Sequence, residues 1–171
     1  RITGENDDFA VFEDTRAAEA EAPEVGGDIT ISTFNVLNYF TTLGVDLSGC
    51  SAYSDREGSP ISVRGGCLVR GAWDAAIEEL DASVVGLEEI ENSAPFGKDR
   101  DDALANLVEA LNANAGFDKW AYAESPADLP EDEDVIRLAF IYQVDEVTPT
   151  EESKILIGDD AFHNAREPLG Q

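Results

Sequence analysis

The chain has 171 residues, of which 43% are hydrophobic, 8% aromatic and 28% charged. That is one domain's length with enough apolar side chains for a core, which excludes wholesale disorder. Its net charge of −26, from 37 acidic against 11 basic side chains, excludes a basic module that coats nucleic acid. No apolar run reaches the roughly 18 residues of a membrane span, and no basic amphipathic stretch reads as a surface-lying helix.

Residues 1–27 are acidic and rich in Ala, Glu and Pro. They read as a linker or arm, with a short strand near Phe9–Phe12. Residues 28–171 form the domain. Ile29–Val36 is β-branched and alternates, as a strand does. Asn38–Gly71 reads as one long loop, a length that is uncommon in a compact domain and often functional. Ala72–Leu80 places Trp73, Ala76, Ile77 and Leu80 at helical spacing. Ser83–Leu87 is apolar with no polar face, which fits a buried central strand. Asp101–Asn114 is the clearest helix: Leu104, Leu107, Val108 and Leu111 make one stripe, and Gly116 stops it. Trp120–Ala123 reads as a short strand. Val135–Gln143 is a stronger one, with Ile136, Leu138, Phe140 and Tyr142 on one face. Glu146–Pro149 and Lys154–Ile157 read as edge strands. The order β–α–β–α–β–β points to an α/β layered domain.

Acidity runs the whole length, against only three lysines, Lys98, Lys119 and Lys154. Two readings stand: an ordinary acidic surface, or adaptation to salt or a cation-rich exterior that screens self-repulsion. The runs Asp99-Arg100-Asp101-Asp102 and Glu131-Asp132-Glu133-Asp134 offer loose calcium binding, without the ligand spacing of an EF-hand loop. Cys50 and Cys67 bracket a stretch rich in Ser, Gly and Pro. They read as a disulfide closing a loop of about 18 residues, with a contribution of roughly 3 kcal/mol, and two free thiols is the other reading. A disulfide implies an oxidising compartment. With Arg1 first, no initiator Met and no signal peptide, the chain reads as a mature chain or a piece of something longer.

Chemistry is sought where strands end, because α/β sheets gather ligands beyond the carboxyl ends of their strands. Asn35 closes the first strand, and Glu88 and Glu89 close the buried one. If those strands are parallel neighbours, Asn35 and Glu89 face a shared crevice. An amide oxygen and a carboxylate suit a hard divalent cation that keeps several waters. The plainer reading is a turn Asn and a solvated Glu.

The stretches Asp28-Ile29-Thr30-Ile31-Ser32-Thr33-Phe34-Asn35-Val36-Leu37-Asn38-Tyr39-Phe40 and Asp81-Ala82-Ser83-Val84-Val85-Gly86-Leu87-Glu88-Glu89-Ile90-Glu91-Asn92 carry a resemblance. They resemble the endonuclease/exonuclease/phosphatase superfamily, the DNase I-like fold, in its branch of bacterial extracellular nucleases of the ExeM/NucH type. Ala103–Asn112, Asp134–Tyr142 and Asn164–Leu169 agree with it. The resemblance implies a four-layer α/β sandwich of which this chain holds the N-terminal part. It also implies a secreted, metal-dependent hydrolase of phosphodiesters in DNA or RNA. Magnesium or manganese would be bound by Asn35 and Glu89. Glu88 stands where relatives carry Gln or another polar residue and is not assigned to the metal.

The same resemblance offers Arg137 and Tyr142 as phosphate-contacting residues. A surface charge and a packed aromatic are their plainer readings. The family's later motifs, a His-bearing strand, Gly-Asp-Phe-Asn and Ser-Asp-His, are not in the sequence. The single histidine, His163, reads as a loop residue, so the catalytic residues stay unassigned and the chain is expected to be inactive alone. Its expected partners are a nucleic-acid substrate and the C-terminal remainder of its own domain, with no membrane. Two alternatives remain: a phosphatase or phosphodiesterase of the same superfamily, and a non-catalytic acidic module of a larger secreted protein.

Overall fold

One mixed sheet organises the computed structural model, which describes residues 26–42, 53–54, 60–61, 70–162 and 166–171. In chain order the strands and α-helices are β1 (Ile31–Tyr39), β2 (Tyr53–Ser54), β3 (Pro60–Ile61), α1 (Arg70–Leu80), β4 (Val84–Glu91), α2 (Asp102–Ala115), β5 (Trp120–Tyr122), β6 (Ile136–Gln143), β7 (Lys154–Ile155) and β8 (Leu169–Gly170). The sheet has the order β1-β4-β6-β5. β1 runs parallel to β4, and the other neighbours are antiparallel. The architecture is α+β, a mixed sheet with few helices. Residues 1–25, with the strand expected near Phe9–Phe12, lie outside the described residues, as do Cys50, Cys67 and His163.

The sheet buries one face. Val85 and Leu87 of β4, Ala139 and Ile141 of β6 and Val36 and Tyr39 of β1 pack on Ile77 of α1 and on Ala103, Leu104, Leu107, Val108 and Leu111 of α2. The predicted apolar stripe of α2 is thus the seam of the core. Asp102 in its first turn favours the helix dipole. Gly116 ends it in the left-handed conformation at φ 80°, where a Cβ would be strained. Asn112, one turn from that end, donates to the carbonyl of Trp120 (3.0 Å) and accepts from its N–H (2.8 Å). A side chain thereby pairs the outer edge of β5, a site otherwise open to another strand.

Register between β1 and β4 is pinned where the strands begin. The Thr30 N–H donates to Ser83 Oγ (3.0 Å), the Ser83 N–H donates to Thr30 Oγ1 (3.1 Å), and the Val84 N–H donates to the Thr30 carbonyl.

Five sequence expectations change. β1 runs on to Tyr39 and β4 to Glu91, so neither Asn35 nor Glu89 closes its strand. Both strands absorb extra residues in irregularities instead of ending. The segment Glu146–Pro149 is not a strand: the N–H groups of Glu146 and Val147 both turn back to the Gln143 carbonyl, and Pro149 has no N–H to offer a ladder. The expected strand over Lys154–Ile157 shortens to two residues, paired with β8. The expected loop Asn38–Gly71 contains the small antiparallel pair β2–β3, and its end belongs to α1. On β6 the face with Leu138, Phe140 and Tyr142 is only half-buried, and the core takes Ala139 and Ile141 instead.

Asp81, left-handed at φ 42°, joins the start of β4 to the far strands. Its Oδ1 accepts from Lys119 Nζ (2.7 Å) and from Gln143 Nε2 (3.1 Å). The Lys119 hydrogen bond holds the Asp81 carboxyl below its ordinary pKa, against the opposing effect of burial. A depressed carboxylate pKa stabilises the fold above the unfolded value, and that stability is lost as pH falls through the folded one. Asn tolerates the same backbone conformation, so Asp81→Asn removes the charge alone. Urea unfolding is expected to show the variant less stable at neutral pH, by an amount that salt reduces. The difference should close as pH drops below 3.8 and through the lowered pKa.

Candidate functional site

Strict alternation from Leu87 would send Glu89 into the core and Ile90 to the outer face. The structure does the reverse. Between Leu87 and Ile90, β4 spends three steps where β6 spends two, from Ala139 to Arg137. Glu89 sits in this bulge at φ 63°. Ile90 is then fully buried, Glu88 exposed and Glu89 half-buried. β1 does the same at the same level. It spends four steps from Asn35 to Tyr39 where β4 spends two, with Leu37 at φ 49° and Asn38 at φ 57°. Val36 and Tyr39 are both fully buried as a result.

Asn35 lies on the outer face. An added Cβ at Gly86 would touch the side chains of Phe140 and Thr33, so Thr33, Gly86 and Phe140 share that face. Asn35 and Glu88 stand two residues further along their strands and are direct partners in the ladder. The neighbour of Asn35 by register is therefore Glu88, with Glu89 next to it in the bulge. Asn35 Oδ1 accepts from the Leu37 N–H at 2.7 Å. That bond fixes the amide and leaves the oxygen its second lone pair. Among the described residues, the Glu89 carboxylate has no hydrogen-bond or ion-pair partner. Oxygen donors alone, one amide and two carboxylates, fit a magnesium-like cation that keeps several waters. Among the described residues there is no group of three or more His, Cys, Asp or Glu side chains placed as a metal cage.

The other predicted residues go elsewhere. Arg137 is level with Ile90, beside the bulge, but its guanidinium is buried in an ion pair. Nη2 donates to Asp101 Oδ1 (2.6 Å) and to the Arg100 carbonyl (3.2 Å). It is not the surface charge that the acidic run before it suggests. Burial pulls its pKa down to about 10, with Asp101 opposing the shift, so it stays charged at neutral pH. Tyr142 pairs with Val84, about 16 Å along the strand from Glu89 at some 3.3 Å per residue. It lines an open groove of about 610 Å³ with Tyr122, Glu124, Glu151 and Glu152. Burial first, and then Asp101 and Glu124, push the Tyr122 hydroxyl pKa up. The structure thus brings Asn35, Glu88 and Glu89 together, and leaves the Arg137 guanidinium and Tyr142 apart from them.

The acidic runs proposed for calcium hold the chain's own cations. Glu133 takes Arg100 at 2.6 Å, Asp101 takes Arg137 at 2.6 Å and Asp134 takes Arg166 at 2.9 Å. One residue that the sequence reading passed over is Glu91, which is completely buried. Its Oε2 accepts from the N–H groups of Thr41 (2.6 Å) and Thr42 (2.8 Å). Its Oε1 accepts from Thr42 Oγ1 (2.5 Å) and Ser93 Oγ (2.8 Å). Nothing in Ile90-Glu91-Asn92 distinguishes it from the chain's many solvated carboxylates.

Comparison with protein-family models, with curated proteins and with solved structures finds no match.

Asp101 also accepts from the Ser125 N–H (2.8 Å) and Ser125 Oγ (2.6 Å), so it ties α2, the segment after β5 and β6 together. Removing one partner of a buried ion pair leaves the other uncompensated. Asp101→Ala is expected to lower unfolding free energy by about 3–5 kcal/mol, measured by urea titration. A loss below about 1 kcal/mol, the scale of an exposed pair, would refute the assignment of a buried anchor.

Proposed function

We propose that the chain supplies the metal-binding half of a secreted, metal-dependent phosphodiesterase acting on nucleic acid, built on a DNase I-like sandwich. One observation carries the reading. The two motif residues, Asn35 and Glu89, fall on adjacent parallel strands at the level where both strands bulge. Left-handed residues without glycine's freedom mark strain that the surrounding structure must hold, and such strain gathers at functional sites. Asn35 offers an amide oxygen already oriented by Leu37, and Glu89 offers a carboxylate without a competing cation from the described residues. Glu88 adds a second negative charge beside them.

A bound magnesium or manganese ion supplies charge stabilisation at a phosphoryl oxygen. The chain's own contribution is to fix those donors on a rigid sheet. Among the described residues no histidine stands there to take a proton from water, so the isolated chain is proposed to bind metal without turnover. A net charge of −26 repels a polyanion, and bound cations offset that field where the substrate lies. The outer face supports the sandwich reading. Leu138, Phe140 and Tyr142 are half-buried there, and Ile31 is 75% exposed.

The test is a manganese titration followed by electron paramagnetic resonance in about 0.15 M salt, where loose surface attraction is screened. The wild-type chain is expected to hold one equivalent more tightly than the rest, and Asn35→Ala and Glu89→Ala to lose it. Glu89→Gly is expected to lose it too while gaining about 1 kcal/mol of stability, because glycine relieves the left-handed strain. Plasmid nicking with magnesium or manganese is expected to be absent. Tight binding that survives both alanine variants would overturn the metal site, and metal-dependent nicking lost in Glu89→Ala would overturn the inactivity of the isolated chain. Hydrolysis of small phosphate esters in place of plasmid would move the reading to a phosphatase.

A further inference from the structure

We propose that Glu91 is the positioning residue of this site: its buried carboxylate clamps the chain leaving β1 onto β4 and so keeps both bulges set. The inference rests on the metal-site reading above. The bonds of Glu91 reach across the strand pair, and two of them run to consecutive backbone N–H groups, Thr41 and Thr42. They fix the path of the chain, beyond the contact of one side chain with another.

The path matters because of what precedes it. Between Asn35 and Tyr39, three residues of β1 have no ladder partner, and Leu37 and Asn38 are left-handed within that gap. Upstream, the ladder holds Asn35 itself. Downstream, Tyr39 is held by its pairing with Ile90 and by its hydroxyl on Asn106 Oδ1 (3.1 Å), and Thr41–Thr42 are held by Glu91. Relaxation of Leu37 toward an extended conformation would withdraw the N–H that orients Asn35 Oδ1. The clamp opposes that relaxation. On the other strand, Glu91 lies two residues past Glu89, and its four bonds hold the register that turns Glu89 away from the core.

A carboxylate buried without a cation among its described partners is a costly way to make four hydrogen bonds. Its isostere Gln can make them too. The amide oxygen accepts the two backbone N–H groups, and the amide nitrogen donates to the Thr42 and Ser93 hydroxyls, which turn to accept. Glu91→Gln is therefore the rescue variant, since it keeps the clamp and removes the charge.

Two readouts test this on the full chain: manganese affinity of the folded protein, and hydrogen exchange of the Leu37 amide by NMR without metal. Glu91→Ala is expected to weaken manganese binding at least about tenfold, as loss of an outer-shell partner does, and to speed Leu37 exchange. Glu91→Gln should stay within about twofold of wild type in both. If Glu91→Ala does not fold, Thr42→Val combined with Ser93→Ala removes the two Oε1 donors, and the same directions are expected. Leu37 exchange and manganese affinity unchanged in a folded Glu91→Ala or in that double variant would overturn the proposal. So would a Glu91→Gln as weak as Glu91→Ala, which would mean that Glu91 acts by charge. If the wild type itself binds no manganese that Glu89→Ala removes, the metal-site reading fails. The Leu37 exchange comparison still decides the clamp.

Discussion

A sheet with one buried face must keep its parity, and this sheet breaks it deliberately at one level. Regular alternation through β4 would bury the Glu89 side chain and expose Ile90. Burying an unpaired carboxylate costs several kcal/mol, and exposing Ile90 forfeits a further ~1.5–3 kcal/mol of burial. One left-handed residue costs about 1–2 kcal/mol. The bulge is the smaller penalty, so Glu89 takes φ 63° and Ile90 returns to the core. In β1 the same arithmetic buries both Val36 and Tyr39 and leaves Leu37 and Asn38 to carry the strain. The two irregularities are then neighbours, because the ladder upstream, started by Thr30 and Ser83, sets the strands in step.

Charge follows a related division. Each of the six described lysine and arginine side chains has a carboxylate partner: Lys98, Arg100, Lys119, Arg137, Lys154 and Arg166. The exposed pairs, Lys98 with Asp102 and Lys154 with Glu151, contribute little. Arg137 and Arg100 are buried and hold the start of α2 against β6 and the segment before it. With these cations committed to the chain's own carboxylates, the surface keeps its excess of negative charge. Among the described residues, no guanidinium competes for Asn35, Glu88 or Glu89 in that field. In the proposed reading, this field favours a divalent cation there and opposes a phosphate until a cation has arrived.

Local pattern was legible; parity and partnership were not. Leu104, Leu107, Val108 and Leu111 recur at helical spacing, and Gly116 supplies the one backbone conformation that ends α2 cleanly, so that helix could be read within a residue. The apolar run Ser83–Leu87 announced a central strand for the same reason. Its continuation through Glu88-Glu89-Ile90-Glu91 was hidden, because a bulge appears in sequence only as broken alternation, and broken alternation also marks a strand's end. Asn35 and Glu89 were picked out by motif, and their adjacency followed from a parallel pairing that the short crossover helix allowed. The partner of Arg137 lies 36 residues away, beyond any local pattern. Glu91 had no signal at all, since its meaning comes from Thr41 and Thr42, 50 and 49 residues back.

The donors and the half-buried apolar side chains occupy one surface, and this bears on how a site here would work. Toward the Val84 end, the described cover of the outer face is thin: Val147–Thr150 and Gln171 enclose a cavity of about 220 Å³ against Val84, Phe140 and Tyr142. In the proposed sandwich a second layer would replace that thin cover over Phe140 and Tyr142. Asn35, Glu88 and Glu89 then stand at its rim and outside its dry interior. A rim position keeps the donors hydrated enough to receive a cation. The adjacent apolar wall lowers the dielectric on one side and strengthens the pull of each carboxylate. The strain in the bulges has the same logic. It releases Glu89 from the core without releasing its backbone, so the carboxylate reaches solvent from a fixed point.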